Sequence, residues 1–600
     1  MSNIPDYELI STELDLKRIL SSCRGPTALD FETTSLLPKE GKVRLVSLCN
    51  DKIKALVDFD KFGRFKKFAH LFTGHWVVFN AGFETRWFMD AGCHKLKTPP
   101  IFMDVGNLRR AIIGGGVFRL AQLVDWDLNI DMSKEQQLSN WSANNLSQEQ
   151  LDYAYFDAEV TWQLWKHWEA EADDRHFEGF NTLNNMVPAV IEMEDSGMLL
   201  DPTAHSELVK QWERARDEKE KIVRHLVPTS QVVNINSDSQ WSDYFAANCP
   251  DNFLEGWPRT EKTGRLSMTT ETLHALSSKV IGSPLETFLD GLADYKTLTK
   301  YINSFGQTLI NSASLTRDNR IHARFNIGYA KTGRFSSSSP NLQQIPRDRE
   351  LMGIKTSVRK SFIAGIGRLL VSLDYSGIEL RVLALLANDE QLLEDVIYGD
   401  VHAEVASKMA GRTIDKSNPE DKALRSKAKG VSFGIIYGSG ASGLAATMKA
   451  SNEQAQEYID FWATRYKKAF NYRYDMLDEA RKTRFIRVVD GGTIYMGKNP
   501  DLPKCANYPV QRAALSVMAR AIWLHKASLD ALREKKGHRL TRMLATIHDA
   551  LIDECATNAG PQVLETMRED MRLAYMQVFP SSPTDNLVEG GVGKNWSELG

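Results

Sequence analysis

The sequence predicts a multidomain chain of mixed strands and helices. Three observations carry this. Six hundred residues exceed what one hydrophobic core serves. Near the start, two short apolar runs of strand type, residues 27–31 and 76–79, stand among helical patterns. Near the end, the apolar run 369–373 precedes an amphipathic helix over 379–386, and RMLATIHDALIDECAT alternates on both sides of His548-Asp549, a hairpin signal.

Composition narrows the class. Hydrophobic content of 42% is enough for proper cores. No apolar run approaches the ~18 residues of a membrane span, so no membrane partner is expected. Cys23, Cys49, Cys93, Cys249, Cys505 and Cys555 are scattered without a C-x-x-C pair. That argues for reduced thiols in a cytoplasmic compartment and against a zinc site or disulfide framework. The formal net charge is −3, so any surface for nucleic acid must be local.

Taken in order, the first element is PTALDFETTSL. On a strand, Asp30 and Glu32 share a face, where they repel each other unless a cation sits between them. The strand over 76–79 then runs into Asn80, an N-cap type, and a helix carrying Glu84. In LSQEQLDYAYFDAEVTW, Tyr153 and Asp157 are four apart on a helix and share its face. The middle of the chain reads as helices. One stops at Ser196-Gly197, a long mixed-charge helix follows, and another long helix covers GLADYKTLTKYINSF. Lys262 and Arg265 lie in a polar loop between the two long helices. This arrangement suits a clamp on a duplex backbone and equally a plain helical linker.

The last half begins with RIHARFNIGYAKTGRFSSSSPNLQQIP, irregular and rich in Ser, Gly and Pro. It carries Arg334, a residue suited to phosphates and minor-groove edges. Asp374 ends a buried strand and opens onto a turn, a usual place for a metal ligand. His402 stands near a helix start. In RSKAKGVSFGIIYG, Arg425, Lys429, Phe433 and Tyr437 are spaced four apart. On a helix they form one stripe, cations first and rings after. The cation end could hold a triphosphate, and the ring end a sugar and base; the same spacing fits an amphipathic helix with a buried finish. The aromatic and basic stretch up to about residue 485 suits base stacking beside a phosphate track, or a helix pair with snorkelling lysines. KCANYPVQRAALSVMARAIW begins as a loop with Pro509 and becomes a helix, with Asn507 and Gln511 at its start. Asp549 sits at the hairpin bend.

Asp30, Glu32, Glu84, Asp157 and Tyr153, in this order and placement, resemble the 3′→5′ proofreading exonuclease family. TGRFSSSSPNLQQIP, DYSGIELR, RSKAKGVSFGIIYG, NYPVQ and IHDALIDE follow in the order of the family A DNA polymerases. The resemblance covers essentially the whole chain, is DNA polymerase I-like of phage type, and leaves no room for a 5′-nuclease domain. It implies an α/β, RNase H-like exonuclease domain over 1–185 and an α+β right-hand polymerase. The latter divides into thumb and connecting helices over 186–330, palm over 331–390, fingers over 391–500 and palm again over 501–600.

The resemblance also implies roles. The four acids of the first domain would hold two divalent metals, with Tyr153 orienting the attacking water. Asp374 and Asp549 would converge on two Mg²⁺ ions. Arg425 and Lys429 would grip the triphosphate, with Lys429 as acid for the leaving group. Phe433, Tyr437 and His402 would flank the nucleotide, and Glu379 would exclude a ribose hydroxyl. Arg334, Asn507, Gln511 and His548 would read the primer terminus. Implied partners are primer–template DNA, dNTPs, and replisome proteins such as a helicase–primase and a single-strand binding protein. The segment from about 225 to 262 looks too short for a thioredoxin-type processivity factor, and the chain is expected to be a monomer.

Four positions depart from the family pattern: Glu84 for Asp, Gly377 for Gln, Ala550 for Glu, and Phe433 where some relatives have Tyr. The last predicts strong discrimination against dideoxynucleotides. Competing readings are a repair polymerase, an inactive exonuclease, a nucleic-acid scaffold with decayed sites, and an RNA polymerase or reverse transcriptase on a similar palm; Glu379 argues against ribonucleotide use, and the proofreading set argues for DNA synthesis.

Overall fold

In the computed structural model, which describes residues 6–132, 139–227, 232, 234–316, 318–448, 450–537 and 540–599, the TALDFET run forms strand β2 (Thr27–Thr33). Its neighbours are β1 (Glu8–Ile10), β3 (Val43–Cys49), β4 (Lys54–Asp58), β5 (His75–Val78) and β6 (Ile101–Asp104). They form one mixed sheet in the order β1-β4-β3-β2-β5-β6, with β2 antiparallel to β3 and parallel to β5. Alternation along β2 decides what faces where. Leu29 and Phe31 enter a core with Trp76 and Phe88, while Ala28 enters a second core with Tyr155 and Ala158. Each fully buried Leu or Phe contributes about 1.5–3 kcal/mol. A one-residue slip would reverse these faces, so the register is strongly specified. Asp30 and Glu32 therefore look the way Ala28 does.

Three of the helices in this region bear on the site: α1 (Gly82–Asp90), α2 (Val105–Ile113) and α3 (Gln148–Glu171). Helix α3 begins with a capping box. Ser147 Oγ accepts from Gln150 N (3.3 Å) and Gln150 Oε1 accepts from Ser147 N (3.0 Å). It packs against β2 and β3 and carries both Tyr153 and Asp157. Asn80 is not the cap of α1. It takes φ +67 just before the helix, and Ala81 is the cap residue without a side-chain bond.

The chain divides into two compact units. One comprises Met1–Asp195, Phe325–Ser336 and Ser372–Gly590, the other Ser196–Arg324, Ser337–Val371 and Gly591–Gly600. In the second unit, α4 (Pro202–Leu226) and α5 (Pro284–Phe305) pack on one another. Both begin at proline behind a capping side chain, Asp201 and Ser283. Their core includes Val223, Trp241, Trp257 and Leu289. Residues 228–231 and 233, within the segment expected to be too short for a processivity factor, lie outside the described residues. Arg265 of the polar loop pairs with Asp243 at 3.2 Å.

The second acidic region rests on β7 (Arg368–Tyr375), followed by α6 (Ile378–Leu386), α7 (Val401–Ala410) and α8 (Pro419–Ile436). Then come α9 (Leu502–Lys536), β8 (Thr541–Ile547), β9 (Ala550–Ala556), α10 (Gly560–Val578) and β10 (Val588–Gly593). The sheet order is β8-β9-β7-β10. Strand β7 runs through Asp374 to Tyr375, two residues beyond the sequence-based end. Ile547 pairs with Ala550, so the hairpin turn is His548-Asp549 alone. His548 takes φ +56, as the first position of a tight hairpin turn requires. Pro509 does not sit in a loop. It lies inside α9, which is continuous from Leu502; the ring removes the bond to the carbonyl four residues back and crowds that carbonyl. Among the described residues, no helix is long and apolar enough to cross a membrane.

Behind the hairpin, His525 of α9 is buried between Asp553 of β9 (2.7 Å) and Asp570 of α10 (2.8 Å). Burial alone would lower its pKa, but the two carboxylates raise it to about 9. Folded His525 thus keeps a proton that an unfolded one gives up near 6.5. Its stabilisation is complete below about pH 6.5 and is lost as pH rises through about 9, on the order of 3 kcal/mol in all. Urea unfolding of the parent and of His525→Gln at pH 6.5 and 9 checks this. The pH-dependent loss should shrink in the variant; equal losses in both would refute the assignment.

Candidate active sites

Asp30, Glu32 and Asp157 each offer a ligand oxygen, and these oxygens lie within 4.8 Å of one another. The strand supplies two of them through its alternation, and α3 supplies the third. Burial raises the Asp30 carboxyl to about 7. Burial, then the charges of Asp30 and Asp157, raise Glu32 to about 10. Burial followed by Asp30 pushes Asp157 well above the usual range. Tyr153 lies beside them: burial and then the charges of Asp157, Glu32 and Asp30 raise its hydroxyl pKa.

Glu84 is only 2% exposed and close enough to Asp30 for the two charges to repel, yet it stands outside the tight trio. Glu84 Oε2 and Asp157 Oδ1 are buried without hydrogen-bond partners. Orphaned acceptors among clustered carboxylates match the all-oxygen donor set of a hard divalent cation.

The second site joins elements far apart in sequence. Tyr375 N donates to Asp549 O at 3.2 Å, which sets the hairpin bend beside β7 and its Asp374. Burial raises the Asp549 carboxyl; Arg334 works against this, while Asp374 and Glu379 add to it, leaving it at about 7. Glu379 is held at both oxygens. Arg334 Nη2 donates to Oε1, and the Tyr437 hydroxyl donates to Oε2. Gly377, just before α6, takes φ +60, a conformation glycine reaches without penalty. Ala550, next in the strand, offers no ligand atom.

The four-residue stripe is realised on α8, which starts at Pro419 and ends at Ile436, with Tyr437 as its C-cap. Lys429 is exposed, with Nζ 5.8 Å from the Phe433 ring centre; the Phe433 and Tyr437 centres are 5.7 Å apart. Arg425 Nε donates to Asp400 Oδ2 at 2.8 Å, and Lys416 meets the same carboxylate at 2.9 Å. Burial would raise Asp400, but these two cations hold it at about 2. His402 stands 5.7 Å from Phe433 between ring centres. Burial, then Lys429 and Arg425, push its pKa down to about 4, so it is neutral at pH 7. Its buried Nδ1 has no hydrogen-bond partner.

Asn507 and Gln511 are one turn apart on α9, both half-buried, and Asn507 Oδ1 is buried without a partner. Asp400 was missed from the sequence. Its signal was present, since it is the N-cap of α7, accepting from Ala403 N at 3.0 Å.

The family model described as DNA polymerase family A matches residues 203–598, and the 3′-5′ exonuclease model matches residues 7–172. The chain is 33% identical over 344 residues to the thermostable DNA polymerase I of Thermus aquaticus, covering 56% of this chain and 39% of that protein. It is 32% identical over 326 residues to DNA polymerase I of Pseudomonas aeruginosa, covering 51% and 33%. It is 31% identical over 414 residues to the thermostable DNA polymerase I of Thermus thermophilus, covering 67% and 46%. The chain thus spans less than half the length of these relatives. Its fold is that of the polymerase domain of Pol1 from M. smegmatis, solved with DNA primer–template and dNTP. The TM-score is 0.77 and the identity 22%, over 98% of this chain and 99% of that one. The chain belongs to DNA polymerase family A.

Proposed function

We propose that the chain is a template-directed DNA polymerase that extends a primer 3′-hydroxyl and trims 3′ ends at a separate exonuclease site. The observation that carries this reading is the meeting of Asp374, Asp549 and Glu379 with Tyr437, the last member of the stripe on α8. Asp374 and Asp549 would hold two Mg²⁺ ions, and Asp30, Glu32, Asp157 and Glu84 two further divalent ions; bound there, such ions acidify a hydroxyl or water and neutralise phosphate charge.

Lys429 binds the triphosphate and gives a proton from Nζ to the departing pyrophosphate. Arg425 neutralises phosphate oxygens while Asp400 fixes its guanidinium. Phe433, Tyr437 and the neutral ring of His402 flank the sugar and base. Glu379, anchored at both oxygens, cannot rotate away from C2′ and so excludes a ribose hydroxyl. Arg334, Asn507, Gln511 and His548 contact minor-groove acceptors, which look alike in all correct pairs. Tyr153 orients the water that attacks the terminal phosphodiester.

The domains we propose are exonuclease (1–185), thumb and connecting helices (186–330), palm (331–390 and 501–600) and fingers (391–500). The role proposed is replication of phage type in a bacterial cytoplasm, by a monomer needing no thioredoxin-type factor.

A labelled primer–template with Mg²⁺, with and without dNTPs, tests both sites. Asp549→Asn should lose extension by ~1,000-fold or more while 3′ trimming persists, and Asp157→Asn should do the converse. Loss of both activities in either variant would contradict two separate sites. Phe433→Tyr should raise dideoxynucleotide incorporation by about tenfold, the worth of one added hydrogen bond; incorporation equal to the parent's would sink this role. The metal reading has its own check. Without cations, folded Asp30 and Glu32 hold protons that the unfolded chain releases near pH 4, so stability falls as pH rises from there through about 7 and on toward 10. A divalent ion removes this penalty, so Mg²⁺ should raise Tm more at pH 8 than at pH 5. Equal rises would exclude these carboxylates as ligands.

A further inference from the structure

The segment that presents Arg334 leans on the exonuclease-type part of the chain. Gly115 N donates to Lys331 O at 3.0 Å, and Gly116 N donates to Gly328 O at 2.9 Å. Lys331 Nζ donates back to Ile113 O at 3.2 Å. There is no room for a side chain at Gly115. A Cβ there would fall 1.8 Å from Ala330 O and 2.6 Å from Gly328 O, both main-chain atoms that cannot swing aside. At Gly116 the nearest atom would be a Phe118 ring carbon at 3.8 Å, an ordinary contact.

Arg110 covers the same segment. Its guanidinium lies 4.4 Å from the Phe118 ring centre and 5.4 Å from that of Tyr329, and its Nη1 donates to Asn107 at 3.0 Å. On the α9 side, Arg512 is bound to Asp490 at 2.7 Å, with its Nη1 only 2.3 Å from where a Cβ of Gly333 would sit. One residue later, Arg334 reaches Glu379.

We propose that Gly115 and Arg110, which lie within the exonuclease match, are positioning residues for nucleotide selection at the polymerase site. They fix the backbone of residues 328–333. That backbone fixes Arg334, and Arg334 fixes the Glu379 carboxylate. The proposal rests on reading Glu379 as the group that excludes a ribose hydroxyl. Irregular backbone without its own ladder needs partners for its carbonyls, and the Gly115 and Gly116 amides supply two. An alanine at 115 would drive Ala330 O back by more than about 1 Å, and a displacement of that size at a reacting site costs up to about 100-fold.

The test uses the full chain with Gly115→Ala, the neighbouring Gly116→Ala as control, and Arg110→Lys as a milder second variant. Three quantities are measured: the kcat/KM ratio for dATP over ATP in single-nucleotide incorporation, 3′ trimming of a single-stranded oligonucleotide, and amide hydrogen exchange across residues 328–336. For Gly115→Ala the ratio should fall at least about tenfold, mostly through a lower KM for ATP, with trimming within about twofold of the parent and faster exchange confined to 328–336. Gly116→Ala should match the parent throughout. An unchanged ratio with unchanged exchange, or an equal effect from Gly116→Ala, overturns the proposal. Should Gly115→Ala fail to fold, Arg110→Lys decides by the same readouts. If the parent does not extend a primer, the polymerase reading fails by itself. Exchange then decides the positioning claim: faster exchange in the variant supports it, and unchanged exchange overturns it.

Discussion

A carboxylate taken out of water costs several kcal/mol unless a cation or a hydrogen-bond donor meets it, and both candidate sites draw carboxylates out of water. The two places handle the cost differently. Around Asp30, Glu32 and Asp157, among the described residues, no lysine or arginine is among the charges that act on the cluster, and Glu32 rises to about 10. Around Asp549 an arginine is built in, and Arg334 works against the rise that burial imposes. Burial in the first region is sustained by the two cores that sandwich the sheet; a β2 strand with less apolar flanks would turn its acids to solvent.

Arg334 connects the parts of the second region. It offsets Asp549 and at the same time grips Glu379, whose other oxygen takes the Tyr437 hydroxyl. The end of the α8 stripe, the start of α6 and the hairpin bend thus share one charge network. Removing any one member would leave a half-buried charge or donor unmet, and that penalty exceeds what a single hydrogen bond contributes to stability. At the other end of the stripe, Asp400 plays the matching part: it holds Arg425 and Lys416, so the cationic end of α8 is anchored while Lys429 stays exposed.

Much of this was legible in the sequence because it depends on short-range geometry. A strand puts residues i and i+2 on one face, and a helix puts residues i and i+4 on one face, whatever surrounds them. Asp30 with Glu32, Tyr153 with Asp157, and the stripe from Arg425 to Tyr437 follow from those two periods. The hairpin bend at Asp549 follows from apolar alternation on both sides. Local chemistry misled in two places. Asn80 is a good cap residue that instead takes a left-handed turn, and Pro509 is a helix breaker tolerated inside α9, where packing on both sides outweighs one missing bond.

Tertiary structure alone decided the rest. Asp374 meets Asp549 from a strand many residues away, Glu379 is shared by two distant partners, and Glu84 lies beside Asp30 but outside the tight trio. Neither Gly115 nor Arg512 carries any sequence sign of a role, because both act through space left or filled against residues 328–334. Periodic geometry is written into neighbouring residues and can be read from them. Convergence of distant segments depends on how sheets and helices pack, and no spacing along the chain encodes it.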